Sequence, residues 1–121
     1  MPNDDTPRAV KPAVTLDALD ALDIRIGTIT SVGDVDGSDK LVKLAVDFGD
    51  HTRQILVGLK QERENPSEVE GRQAAFIINL EPRTMFGERS EGMLLDIGYQ
   101  DRITPVLAVP EAPVPNGVRL G

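Results

Sequence analysis

Between positions 42 and 48 the chain alternates Val42, Leu44, Val46 and Phe48 with Lys43, Ala45 and Asp47, and Gly49-Asp50 then stops the run. Successive side chains of a strand point to opposite faces, so this period of two puts four apolar side chains on one face and leaves the other more polar. Such a strand belongs in an antiparallel sheet with one buried side. Its neighbours extend the pattern. Ile24 to Val32 is a β-branched run broken by Gly27, which fits a strand that bends where side-chain bulk would obstruct curvature. Gly33-Asp-Val-Asp-Gly-Ser-Asp39 is dense in turn formers, and Arg53 to Val57 follows Gly49-Asp50 at hairpin distance. Three strands therefore read as a meander.

Ala74 to Ile78 and Met93 to Ile97 supply two more strands, separated by the polar connection Asn79 to Gly92. Residues 61–72 are acidic and contain Pro66. They predict one short helix begun by Ser67, with Glu70 at capping-box spacing and Gly71 as its end. Three strands, a helix and two strands give an all-β, five-stranded Greek-key barrel, the OB-fold, with short helices and a C-terminal extension; a small sandwich is the alternative. Residues 1–14, with prolines at 2, 7 and 12, read as a disordered tail, leaving 15–121 as one domain. Thr15 is placed to cap a short helix whose Leu16, Leu19 and Leu22 would plug one end of the core. Thr104 to Gly121 holds four prolines and a Pro115-Asn116-Gly117 turn. Its Val118 to Leu120 is an edge-like segment suited to sealing the barrel or meeting a partner chain.

Composition removes much enzymology. There is no Cys and one His, His51, which excludes a Cys-based zinc site, a cysteine nucleophile and any mechanism needing two imidazoles. His51, beside Asp50, reads as a solvated turn residue. Gly87-Glu-Arg-Ser-Glu-Gly92 has the glycine spacing of a phosphate loop, but Met93 and Leu94 stand where a Lys and a hydroxyl are needed. Asp34-Val-Asp36-Gly37 resembles a calcium loop whose glycine comes early and whose last ligand would be Ala45. No catalytic residue, metal or cofactor is expected. No charged segment followed by an apolar run opens the chain, which predicts a cytoplasmic protein without a membrane span.

With 13 Lys and Arg against 20 Asp and Glu, the formal net charge of −7 repels nucleic acid as a whole. RNA binding would need a local cationic patch and would weaken with salt. Residues 40–60 hold Lys40, Lys43, Arg53 and Lys60 against two acids, a net of +2, whereas 61–70 is net −3. Two further cations lie in Asn79 to Leu95, a connection too long for a compact barrel unless it is structured for a purpose or disordered. Arg83 and Arg89 can pair phosphates bidentately and Ser90 can bond a phosphate or ribose oxygen. Met85, Phe86 and Met93 offer apolar contact to a nucleobase, or simply cover the barrel end. Four aromatics, Phe48, Phe76, Phe86 and Tyr99, are too few for a long single-strand track. Recognition of a folded RNA by phosphate geometry and one or two splayed bases asks less of the surface.

Leu22-Asp-Ile-Arg-Ile-Gly-Thr-Ile29, Ser38-Asp-Lys-Leu-Val-Lys-Leu44, Val46-Asp-Phe-Gly49, Arg53-Gln-Ile-Leu-Val-Gly-Leu59 and the whole Asn79 to Leu95 block resemble the tRNA-binding domain family. That family includes the C-terminal domain of many methionyl-tRNA synthetases, free-standing bacterial tRNA-binding proteins and CsaA-type secretion chaperones. The resemblance covers about residues 16–121. It implies an OB-fold that forms a homodimer in free-standing members and binds tRNA by shape, near the corner of the L, without catalysis. Carried over to this chain, the Ser-Glu-Gly-Met motif places RNA contacts at Ser90 and Met93, with Lys40 and Arg83 supplying charge; Asn79 is assigned a structural part. Where tRNA-binding members often show Lys-Pro-Ala-Lys, this chain has Glu81-Pro-Arg-Thr84, with fewer cations. The chaperone branch is the alternative. There Met85, Phe86 and Met93 would line a groove for unfolded or export-directed polypeptide. Tethering of an aminoacyl-tRNA synthetase is a third reading.

Overall fold

The computed structural model describes residues 8–121, so the first seven residues of the expected tail lie outside the described residues. Residues 8–14 are exposed and form no regular element. Arg8 is ion-paired with Asp101 at 3.1 Å. After a single helical turn, α1 (Leu16–Asp20), come β1 (Ile24–Asp34), β2 (Val42–Asp47) and β3 (Thr52–Val57), each antiparallel to the one before. β4 (Gln73–Ile77) returns along the first half of β1, from Ile24 opposite Ile77 to Thr28 opposite Gln73. The hairpin β5 (Arg83–Met85) and β6 (Glu88–Ser90) precedes β7 (Met93–Leu94), which pairs with β4. β8 (Asp96–Ile97) pairs only with β9 (Val106–Leu107).

The main sheet runs β3-β2-β1-β4-β7, and its two ends approach each other. The Glu91 N–H donates to the Gln54 carbonyl at 2.8 Å, and the Leu56 N–H to the Ser90 hydroxyl at 3.1 Å, so the residues leading into β7 cover the free edge of β3. This is the OB-like barrel that the strand order predicts. The alternation of 42–48 is realised as read: Val42, Leu44, Val46 and Phe48 are all buried. Phe48 meets Phe76 edge-on at 5.6 Å, and Ile29, Ile55 and Leu94 close round them. Gly27 lies directly over this core, where a Cβ would stand 2.6 Å from Val46 Cγ1 and 2.8 Å from Phe48 Cε1. The bulge in β1 comes further on, between Ile29 and Ser31.

Several expectations are corrected. The leucines of 16–22 do not plug the core: Leu16, Leu19 and Leu22 are exposed, whereas Leu59 and Val69, each on a short 3-10 turn, are buried in it. The short helix expected to begin at Ser67 and end at Gly71 is the 3-10 turn Pro66–Val69, capped instead by Asn65, which accepts from the Ser67 N–H. Glu70 forms no capping box; its carboxylate accepts from the Val32 N–H on β1 at 3.0 Å. The fifth strand divides at Leu95, β7 staying in the main sheet and β8 leaving it. His51 is not a solvated turn residue. Its ring stacks on Phe48 with centroids 5.5 Å apart, Nδ1 faces Asp50 Oδ1 at 2.6 Å, and Nε2 accepts from Arg53 Nε at 3.0 Å.

The C-terminal segment seals the sheet. β2 pairs with β1 only from Thr28 onward, and the strand edge before it is taken by the chain end. Gly117 N–H donates to the Ile26 carbonyl at 2.7 Å, Ile26 N–H to the Val118 carbonyl at 2.9 Å and Leu120 N–H to the Ile24 carbonyl at 2.9 Å. Gln73 fastens the approach, its Nε2 donating to the Val114 carbonyl and to Asn116 Oδ1 at 2.6 and 2.9 Å. Gly117 has φ +90, and a Cβ there would collide with the Phe48 carbonyl oxygen. Gly71 has a similar φ of +83 with open space around it. Gly71→Ala is therefore expected to cost about 1 kcal/mol from backbone strain alone, and Gly117→Ala about 2 kcal/mol because strain and collision add. Urea unfolding of the two variants measures the difference; equal losses would mean that the chain end is not held against Phe48.

Candidate nucleic-acid interface

The Asn79 to Gly92 connection is structured, and most of it is a hairpin. Phe86 and Gly87 form its two-residue turn with φ 53 and 76, the pattern of a type I′ turn, whose twist matches that of the flanking strands. The hairpin folds over the outer side of β2 and β3. Met85 packs against Val35, Leu41 and Leu56, a small second cluster that the barrel interior does not contain. Glu88 meets Lys43 of β2 at 2.6 Å, and Gln54 of β3 donates to the Arg89 carbonyl at 3.1 Å. Asn79 anchors the base, accepting from the Asp23 N–H at 2.7 Å and donating to the Ala21 carbonyl at 2.8 Å.

The Lys43 ammonium holds the Glu88 carboxyl below its ordinary value of 4.5. A carboxylate lowered in the folded state stabilises the fold above its unfolded pKa and loses that contribution as pH falls through the folded value. Acidification through and below the ordinary glutamate range is therefore expected to loosen the hairpin before the barrel. Amide exchange would show it as early loss of protection at Met85 to Arg89 while Leu44 and Ile55 stay protected. Simultaneous loss at both would refute a separately clamped hairpin.

The cations expected to bind RNA sort into two groups. Lys43 is neutralised by Glu88, and Lys60 lies 3.2 Å from Asp34. Arg53, the strongest cation candidate of β3, is consumed at the barrel end, donating to the carbonyls of Ile78 and Glu91 at 2.7 and 3.2 Å. Lys40, Arg83 and Arg89 are exposed and form no ion pair among the described residues. Lys40 adjoins Leu41 of the cluster that Met85 covers, and its stem lies along Gly58, so it borders the hairpin's footprint. Arg89 pairs across the hairpin with Thr84 on the outer face. Arg83 is opposite Ser90, so strand alternation turns it to the other face, and it reaches solvent at the open end of the hairpin. The two guanidiniums flank the hairpin and do not share a face.

Ser90 was expected to touch RNA, and its position argues otherwise. The side chain is 6% exposed, accepting from the Leu56 N–H and donating to the Gly92 carbonyl at 3.2 Å, so its hydroxyl is spent on closing the barrel. The three apolar residues do not assemble into one groove. Met85 faces the small cluster, Phe86 stands at the hairpin tip at 60% exposure, and Met93 is on β7 at 45% exposure. What the sequence does not reveal is that Lys43, read as part of the cationic stretch, joins Gln54 and Glu88 in fixing the hairpin. Their signal is a charge pairing 45 residues apart, which no local pattern carries.

The fold and this site define an OB-like barrel with a cation-flanked hairpin clamped to its outside. The chain belongs to the tRNA-binding domain family: the family model described as "Putative tRNA binding domain" matches residues 24–119. Over 107 residues, 88% of this chain, it is 41% identical to the methionine–tRNA ligase of Methanothrix thermoacetophila and covers 15% of that protein. The chain spans 13–17% of the length of the curated relatives it matches. Among solved structures it resembles the MetRS related protein from Pyrococcus horikoshii, with TM-score 0.82 and 28% identity over 92% of this chain and all (100%) of that one. It also resembles the chaperone CsaA from Bacillus anthracis, with TM-score 0.77 and 26% identity over 91% of this chain and 100% of that one. No helix among the described residues is long and apolar enough to cross a membrane.

Proposed function

We infer that this chain binds folded tRNA through the hairpin side of its barrel, as a cytoplasmic homodimer with no reaction of its own. The observation that carries this reading is the pair of exposed guanidiniums, Arg83 and Arg89, free of ion pairs among the described residues in a chain of the tRNA-binding domain family. A phosphate backbone crossing the hairpin from its open end passes both, with Lys40 at the border of the footprint and Met93 beside it. Ser90 supports the site from beneath by holding β6 to β3. The homodimer is supported by apolar surface at the other end of the chain's path: Leu16, Leu19 and Leu22 are exposed, and the half-exposed Leu120 hydrogen-bonds Ile24 two residues beyond Leu22. Two linked sites raise avidity when one RNA or one synthetase complex engages both.

The similarity to CsaA and the exposure of Phe86 and Met93 favour a second reading, a chaperone for unfolded or export-directed polypeptide. Titration of deacylated tRNA and of an unfolded apolar peptide, each at low and high salt, separates the two. The tRNA reading expects binding of tRNA that weakens steeply with salt, because neutralised phosphates release counterions. Salt-insensitive binding of the peptide alone would overturn it in favour of the chaperone.

A further inference from the structure

We propose that Phe86 is a stacking platform for a single unpaired nucleobase, a subsite that rests on the tRNA-binding reading and adds to it the base contact at the hairpin tip. Phe86 has φ 53, a left-handed conformation that bulky side chains rarely adopt and that Asn or Gly adopts at little cost. Its first place in a type I′ turn is where Asn-Gly or Asp-Gly forms the most favourable hairpin. The residue is also 60% exposed, so burial does not offset the strain. Strained residues kept without a packing return mark functional positions.

The ring is positioned as well as exposed. It lies beside the Gly37 turn, where φ is +85 and a Cβ would stand 3.5 Å from Phe86 Cδ1. A Cβ at Gly37 would sit at ordinary contact distance from the ring, so one edge of Phe86 rests against that turn while the remainder stays open. Met85 beneath it is anchored in the small apolar cluster, and Glu88 is clamped to Lys43, so both strands leading to the tip are fixed. Arg89 is two residues beyond Gly87. A planar, neutral ring three residues before the exposed Arg89 suits one splayed base of a folded RNA, and stacking tolerates any base identity.

The test uses three variants of the full chain with deacylated tRNA as the probe. Phe86→Asn is expected to raise Tm by roughly 2–5 °C, because it relieves the turn, and to weaken tRNA binding about tenfold, because the ring is gone. Phe86→Leu keeps an apolar side chain and is expected to lose about the same affinity. Phe86→Trp is expected to bind at least as tightly as the parent. As the chain has no other Trp, its emission reports the tip alone, and quenching on tRNA addition is the expected signature of a stacked base. If the parent binds tRNA and all three variants bind equally, with emission unchanged, the stacking proposal is overturned and the tRNA reading stands. If the parent binds no tRNA, both fall. A blue shift with an unfolded apolar peptide and no response to tRNA would assign the ring to polypeptide and also overturn the proposal.

Discussion

Phe48→Ala is expected to lower the unfolding free energy by about 3–5 kcal/mol. The ring is 1% exposed and joins elements far apart in sequence: Phe76 of β4 edge-on, His51 stacked on it and Gly27 of β1 over Cε1. Strands held by their hydrogen-bond ladders do not collapse to fill such a space, so the loss includes a cavity as well as a transfer contribution. Urea or thermal unfolding measures it, and a loss near 1 kcal/mol would mean that the barrel repacks freely. Gly27→Ala adds a sharper check. In the parent its new methyl collides with Val46 and Phe48; in the Phe48→Ala background one of those collisions disappears. The two substitutions should therefore couple, costing less together than the sum of their separate effects.

Replacing both Arg83 and Arg89 by Ala is expected to weaken tRNA binding by about 2–3 kcal/mol, on the order of fifty-fold, taking about 1–1.5 kcal/mol for each charged hydrogen bond. The plot of log affinity against log salt should become shallower by roughly one to two units, since each lost phosphate contact releases fewer counterions. Tm should stay within about 1 °C, because neither guanidinium is paired within the fold. Lys43→Ala is the contrasting case. Its ammonium is held by Glu88, so its removal should act on hairpin order first and on RNA affinity only through it. Unchanged affinity and slope in the double Arg variant would place the RNA elsewhere on the barrel.

The second, third and fourth strands were read from sequence to within a residue or two because Val42 to Phe48, Arg53 to Val57 and Ala74 to Ile78 are bounded by turn formers and carry their face preference in the residues themselves. The helical readings fared worse. Leu16, Leu19 and Leu22 have a helical spacing, but spacing does not state which surface will cover them, and all three stay exposed. Ser67 and Glu70 matched a capping box until Asn65 supplied the cap and Glu70 found β1. At the site, the Asn79 to Gly92 connection was recognisable as purposeful, and Lys40, Arg83 and Arg89 are indeed exposed. Ser90 was assigned by its motif and its hydroxyl belongs to the barrel closure.

Period-two alternation and turn chemistry act over a few residues, so the amino-acid order alone specified β1 to β4 and the meander of the first three, whereas the β5–β6 hairpin and the β8–β9 pair came only with the tertiary structure. Which cations stay free, which hydroxyl is spent inside and where the chain end lies are settled by partners 26 to 91 residues distant, such as Asp34 for Lys60, Leu56 for Ser90 and Ile26 for Gly117. Those pairings exist only once the sheet has curled far enough to bring its edges together, because a hydrogen bond or an ion pair forms at contact distance and carries no trace along the chain.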